Sequence, residues 1–130
     1  MVGIVIVSHS AKVAEGIQEM ASQMAGEQQK IIAAGGMEDG SIGTDAVRIS
    51  HAIIAADSGD GVVVLVDLGS AVLSTEMAFE LLPDELRKRA RIADAPVLEG
   101  SIIAAVQAAA GDPLLAVIAA AVGARELRKV

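Results

Sequence analysis

The chain has no cysteine, no tryptophan, no tyrosine and a single phenylalanine, Phe79. Without cysteine it forms no disulfide and ligates no metal or iron–sulfur cluster through thiolate. With almost no aromatic rings it has no platform on which nucleic-acid bases could stack. A net charge of −7 argues equally against a phosphate backbone as partner. The longest apolar run, Leu114 to Val122, is far short of the roughly 20 residues that a membrane-spanning helix needs. No basic segment precedes the first apolar run, so no signal peptide is expected. The spacings of metal-ligand clusters are missing, as are the GxxxxGK[ST] and GxGxxG patterns of nucleotide sites. These absences lead to the expectation of a cytoplasmic protein that binds no nucleic acid, no membrane, no metal and no resident cofactor.

What is present is aliphatic. Apolar residues make up 53% of the 130 positions, too many for a disordered chain. That length fits one domain over residues 1–130, burying roughly two-thirds of its unfolded surface. Strand-like and helix-like patterns alternate. Val2–Val7 is a continuous run rich in β-branched residues, as in a strand covered on both faces. Over Ala11–Met24 the apolar residues Val13, Ile17, Met20 and Met24 recur at helical spacing. Lys30–Ala34 is a second strand. Thr44 is placed to cap a helix running to about Asp57, with Val47 and Ile54 facing inward. Val62–Val66 is a third strand, and Ala71–Leu82 a helix stopped by Pro83. Arg89–Ala93 reads as a short fourth strand. Two alanine-rich helices follow, about Glu99–Ala110 and Pro113–Lys129. Met20, Met24 and Met77 fall at helical core positions. The alternation predicts an α/β fold: a doubly wound, mainly parallel sheet of four to five strands with helices on both faces.

In such sheets, sites lie beyond the carboxyl ends of strands where the strand order reverses. Three loops qualify: Ser8-His9-Ser10, Gly40 to Thr44, and Asp67-Leu68-Gly69-Ser70. If the first and third strands are neighbours, His9 and Asp67 come within side-chain reach. Imidazole is largely neutral, and so nucleophilic, near pH 7. A carboxylate on one ring nitrogen fixes the tautomer, frees the other nitrogen to attack, and stabilises the cation formed on phosphorylation. Helix N-termini at Ser10, Thr44 and Ser70 offer free N–H groups to a phosphoryl group, and Gly40, Gly43 and Gly69 let the backbone approach it. The plainer alternatives stand beside this reading: His9 as a polar surface residue, Asp67 as a cap, and the Gly40–Thr44 loop as a connection. His51 falls on a solvated helix face with Arg48, Ala55 and Ser58. The basic run Arg87-Lys88-Arg89, with Arg91, reads as solvated, with a dock for an acidic partner as the second option.

Five segments are familiar together: IVIVSHS at 4–10, AEGIQEMASQM at 14–24, IGTDAV at 42–47, VDLGSAVLSTEMAFELL at 66–82 and APVLEG at 95–100. In this order they resemble the mannose-type enzyme IIA family of the bacterial phosphotransferase system. Within it, they resemble the branch serving phosphoenolpyruvate-dependent dihydroxyacetone kinase. The resemblance implies a phosphotransferase subunit of that kinase, a phosphohistidine carrier. Its histidine accepts a phosphoryl group from the phosphocarrier HPr and passes it to ADP bound on the DhaL subunit, which works with DhaK. Carried over, His9 is the phosphoryl acceptor and Asp67 orients it, while Ser10, Gly40, Gly43, Thr44, Gly69 and Ser70 line the phosphoryl site. ADP and ATP would sit on the partner subunit, and this chain would hold only a transient phosphohistidine. Sugar-transporting members carry a longer glycine-rich motif with proline after the aspartate. DLGSAVLS stands in its place here, which favours the kinase branch over a sugar-permease component. A regulatory phosphohistidine module is the reading from another class. With the chain closing at Val130, the phosphocarrier-like and enzyme-I-like domains that some members append are expected as separate proteins. The helical pattern of the tail speaks against the strand exchange seen in some family dimers. A homodimer is still implied, with the apolar helices from Glu99 onward as a candidate interface.

Overall fold

The computed structural model describes residues 1–130. Four strands form one sheet: β1 (Gly3–Ser8), β2 (Ile31–Gly35), β3 (Val62–Val66) and β4 (Ala90–Ile92). Their order is β2-β1-β3-β4 and every pairing is parallel. The chain leaves β1 toward β2 on one side and returns to β3 on the other, so the strand order reverses between β1 and β3. Helices connect the strands: α1 (Ala11–Ala25), α2 (Ala46–Ala56), α3 (Gly69–Phe79), the single turn α4 (Asp84–Arg87), α5 (Val97–Ala109) and α6 (Leu114–Gly123). None of them is long and apolar enough to cross a membrane.

The period-two alternation of strand side chains builds two cores. Ile4, Ile6, Val63 and Leu65 meet Ala14, Ile17 and Ala21 of α1, Ala104 and Ala108 of α5 and Val117 of α6. Val5, Val7, Val62 and Val64 meet Ile49 and Ile53 of α2, Ala71 and Ala78 of α3, and Leu82 and Leu86 around α4. Both faces are therefore covered, as the unbroken aliphatic strands require.

Several helix faces differ from the sequence reading. On α1 the buried face is Ala14, Ile17 and Ala21, while Val13, Met20 and Met24 stand 46%, 50% and 65% exposed. The close seating of the helix explains this. A Cβ on Gly35 would lie 2.5 Å from the Ser10 carbonyl oxygen and 2.7 Å from the Ala14 Cβ, so only small side chains fit where the first turn of α1 crosses β2. On α2, Val47 and Ile54 face solvent, and Ile49, Ala52, Ile53 and Ala56 face the sheet. This helix is apolar nearly all round, so two stripes compete, and the one that lets Ala56 pack on Gly3 wins. Its N-cap is Asp45, not Thr44. Met77 is exposed on α3, whose inner face is Ala71, Thr75 and Ala78. α6 ends at Gly123 and gives way to a 3₁₀ turn over Ala124–Glu126 instead of running to Lys129.

The basic run is occupied internally. Arg87 donates to the carbonyls of Phe79, Glu80 and Leu82, satisfying orphan acceptors at the end of α3. Arg89 grips Asp57 with two hydrogen bonds, of 3.1 and 2.7 Å. Lys88 pairs with Glu85 and Arg91 donates to the Ala90 carbonyl.

Candidate phosphoryl-acceptor site

β1 ends at Ser8 and α1 begins at Ala11, with Ser10 as its N-cap. His9 is thus pinned between a strand end and a helix start, at the position where the sheet order reverses. Gly36 N–H donates to the Ser8 carbonyl and Gly43 N–H to the His9 carbonyl, at 3.1 and 2.8 Å. The backbone on either side of the imidazole is therefore held by the β2–α2 loop. The neighbouring strand β3 delivers Asp67 one residue past its end.

The Asp67 carboxylate receives four donors. Oδ1 accepts from the Leu68 N–H at 2.7 Å and lies 3.0 Å from His9 Nδ1. Oδ2 accepts from the Ser8 hydroxyl at 2.9 Å and the His9 N–H at 3.0 Å. Burial pushes this carboxyl up, but the His9 amide, the His9 ring, the Ser8 hydroxyl and the Leu68 amide together outweigh burial and hold it below its usual range. An ionised Asp67 accepts only, so His9 Nδ1 carries a proton toward it. In the neutral ring Nε2 is then the lone-pair nitrogen. It lies 2.7 Å from the Ser70 hydroxyl. The His9 side chain is 21% exposed, reachable from outside without being mobile on the surface.

Nε2 faces the start of α3. The cap residue Leu68 has no side-chain oxygen to offer. The N–H groups of Gly69 and Ser70, first in the helix, have no intrahelical acceptor and remain free. With the positive end of the helix dipole they make a corner whose charge suits an anion. The other two helix starts carry side-chain caps. The Ser10 hydroxyl caps α1 by accepting from Val13 N–H. Asp45 caps α2 by accepting from the Val47 and Arg48 N–H groups. Of these three helix starts, only that of α3 has no side-chain cap.

The remaining residues singled out in the sequence separate. Gly43 touches the His9 backbone, as described. Gly40 stands exposed with its N–H bonded inside its own turn, to the Met37 carbonyl. The Thr44 hydroxyl pairs with Ser74 at 2.6 Å. Ser8 was missed as a site residue. Its hydroxyl is buried, donates to Asp67, and accepts from the Ser10 N–H at 3.1 Å. The signal was the SHS triplet itself, in which the first serine points back from the strand end. His51 lies exposed on α2, away from this cluster. A cleft of about 440 Å³ opens beside Asp67, between Leu68 and Val72 on one wall and Ile92 and Ala95 on the other. No group of three His, Asp or Glu side chains is arranged to hold a metal ion.

Residues 3–118 match the family model described as the PTS system fructose IIA component. The chain belongs to the EIIA-man family. Within it, the chain is 46% identical over 107 residues to the phosphoryl donor subunit DhaM of phosphoenolpyruvate-dependent dihydroxyacetone kinase 2 of Listeria innocua, covering 82% of this chain and 86% of that protein. It is 43% identical over 132 residues to the corresponding subunit of Escherichia coli, covering 99% of this chain. There it spans 28% of the relative's length, so that relative is much the longer protein. A crystal structure of a protein of unknown function shares 39% identity at a TM-score of 0.84, covering 94% of this chain and 93% of that one. The mannose/sorbose-specific IIA subunit from Enterococcus faecalis is 18% identical with a TM-score of 0.60, covering 99% of this chain and 94% of that one. At that identity the likeness speaks for the EIIA-man fold alone.

Proposed function

We propose that this chain is the phosphohistidine carrier of a phosphoenolpyruvate-dependent dihydroxyacetone kinase, with His9 Nε2 as the atom that takes and gives up the phosphoryl group. The observation that carries the reading is the paired engagement of the ring: Nδ1 on Asp67 and Nε2 aimed at the uncapped start of α3. The donor is an HPr-type phosphocarrier. Its phosphorus–nitrogen bond breaks as the Nε2–phosphorus bond forms, and the donor imidazole keeps the electron pair of the broken bond. No proton has to leave His9, because Nδ1–H stays on Asp67 while the ring becomes cationic. Asp67 then stabilises that cation, and the Gly69 and Ser70 N–H groups with the Ser70 hydroxyl receive the phosphoryl oxygens. Catalysis of this kind rests on positioning and fixed dipoles.

Discharge goes to ADP on a DhaL-type subunit working with DhaK, so nucleotide sits on the partner and this chain carries phosphate only transiently. The named relatives support that acceptor over a sugar-permease component. Both partners need access to one nitrogen, and the surroundings suit this. Ile42, Leu68 and Leu73 stand 75%, 62% and 64% exposed on the segments that bracket the site, apolar side chains of the kind the core of a docking interface covers. A cytoplasmic homodimer completes the proposal.

The test is incubation with phosphoenolpyruvate, enzyme I and HPr, followed by location of the acid-labile phosphate by mass spectrometry. Phosphate on His9, its loss in His9→Ala and its retention in His51→Ala are expected. Transfer from the labelled protein to an ADP-loaded DhaL-type subunit then separates a kinase carrier from a permease component, which would not discharge there. Phosphorylation of His9→Ala would refute the assignment.

A further inference from the structure

We propose that Gln18 and Arg48 guard the outer edge of the sheet. They occupy backbone carbonyls of β2 at which a second copy of this chain would otherwise add a strand. The inference is independent of His9 and of phosphoryl transfer.

In the order β2-β1-β3-β4, strand β2 has a neighbour on one side only. Its parallel pairing with β1 uses the backbone groups of alternate residues. Ile4 N–H donates to the Lys30 carbonyl and Gly36 N–H to the Ser8 carbonyl, with Ile4 in register with Ile31. Ile32 and Ala34 therefore turn their backbone groups to β1, and Ile31, Ala33 and Gly35 turn theirs outward. Outward groups of this kind are a template for another strand. The segment suits such pairing, since no charged residue lies from Ile31 to Met37 and isoleucine favours strands. A groove of about 310 Å³ between β2 and α2, with Ile32, Ala33, Ala34, Arg48, His51 and Ala52 on its walls, leaves this edge open to approach.

Two of the three outward carbonyls are taken by side chains. Gln18 of α1 donates Nε2 to the Ile31 carbonyl at 2.7 Å. Arg48 of α2 donates Nη2 to the Gly35 carbonyl at 3.3 Å. The two helices cover opposite faces of the sheet, so the side chains reach the strand from both sides and hold its two ends. Ala33, between them, alone keeps a bare outward carbonyl. An added strand would have to compete with both side chains for their oxygens and displace them from the edge. The opposite edge is treated alike. β4 is three residues long, and Arg91 donates to the Ala90 carbonyl.

The experiment measures self-association of the full chain by light scattering across a range of concentrations, together with amide hydrogen exchange. The test variant carries Gln18→Ala and Arg48→Ala, since alanine keeps both helices and adds little apolar surface. Losing Arg48 makes the net charge of −7 more negative, which opposes association, so a gain cannot come from relieved repulsion. The association constant is expected to rise about ten- to hundredfold over wild type, the range for two competing hydrogen bonds removed. The Ile31, Ala33 and Gly35 N–H groups should gain exchange protection as they enter a ladder. Gln23→Ala, an exposed change on the same helix, should leave both readouts at wild type. Melting temperatures establish that the variants are folded. If the double variant does not fold, Gln18→Ala alone decides by the same two readouts. An unchanged association constant in the folded variant overturns the guard. So does a rise without protection of those three amides, or an equal rise in Gln23→Ala.

Discussion

Asp67 meets His9 twice, through the backbone N–H on one carboxylate oxygen and through ring Nδ1 on the other. The ring therefore cannot turn about its Cβ–Cγ bond without losing a bond to an ionised group. That bidentate hold fixes the orientation of the imidazole, which a histidine merely lying at a strand end lacks. It also gives the first prediction. Asp67→Asn leaves a side chain with one acceptor where four donors converge, and its NH₂ opposes at least one of them. We expect phosphoryl acceptance to fall about 10²- to 10⁴-fold, as when an orienting aspartate is lost and the wrong tautomer results. Ser8→Ala should act through the same carboxylate and cost about 1–3 kcal/mol of stability, because it removes a bond to a charged group and orphans the Ser10 N–H. Phosphohistidine formation and urea unfolding measure the two effects. Full activity in Asp67→Asn would remove the carboxylate from the mechanism.

The second prediction concerns pH. Arg89 hydrogen bonds hold the Asp57 carboxyl below its usual range against the opposing effect of burial. A carboxyl lowered in the folded state contributes stability above its unfolded value of about 3.9, and that stability is lost as pH falls through the folded value. Asp57→Asn should therefore melt lower than wild type at pH 7, with the gap closing below about pH 4. A gap that is constant from pH 7 to pH 3 would show that the pair holds no titratable stabilisation. The pair bridges the end of α2 to the start of β4, far from His9, so phosphoryl acceptance at pH 7 should be unchanged.

Sequence patterns exposed the sheet, the strand-end loops and the His9–Asp67 pair, because each depends on period or on chain order. Four aliphatic runs separated by helical stretches leave little choice of architecture, and neighbouring β1 and β3 bring the two residues together. The helix faces were not legible to the same degree. In α2 and α3 most positions are apolar or small, and in α1 Val13, Met20 and Met24 form a second apolar stripe beside Ala14, Ile17 and Ala21, so periodicity does not choose which stripe is buried. The choice is made by how closely the sheet can be approached, and glycines set that distance. The cap of α2 was misplaced by one residue because Thr44 and Asp45 are both good caps; the carboxylate takes the role and leaves the threonine hydroxyl for Ser74. Ser8 and Ser74 carry no periodic signal at all. Their roles exist only once three elements meet.

The third prediction tests the close seating. A Cβ on Gly35 would overlap the Ser10 carbonyl and Ala14 of α1, and Gly35 is in register with Ser8. Gly35→Ala should cost about 1–3 kcal/mol through overpacking and also slow phosphoryl acceptance, since relief requires α1 and the Ser8–Ser10 turn to move. Gly16 is the control. It lies mid-helix in α1 with no atom near the place a Cβ would take. Gly16→Ala should stabilise by about 0.5–1 kcal/mol with acceptance unchanged. Stability series on the two alanine variants separate steric fit from glycine content. Equal effects of the same sign would contradict the packing described.

The fourth prediction separates docking from chemistry. Ile42, Leu68 and Leu73 are exposed and make no bond to the His9–Asp67–Ser70 cluster through their side chains. Replacing Leu73 or Ile42 by lysine should leave the melting temperature within about 2 °C of wild type, because surface changes of this kind usually cost under 0.5 kcal/mol. The same changes should raise the KM for HPr while leaving chemical phosphorylation by phosphoramidate untouched, since the small donor needs no docking surface. Steady-state transfer from HPr and the phosphoramidate rate, measured on the same protein, give the comparison. If the two rates fall together, those side chains act on the imidazole itself and the apolar rim is part of the site. If only transfer from HPr falls, the rim is the surface that partners read.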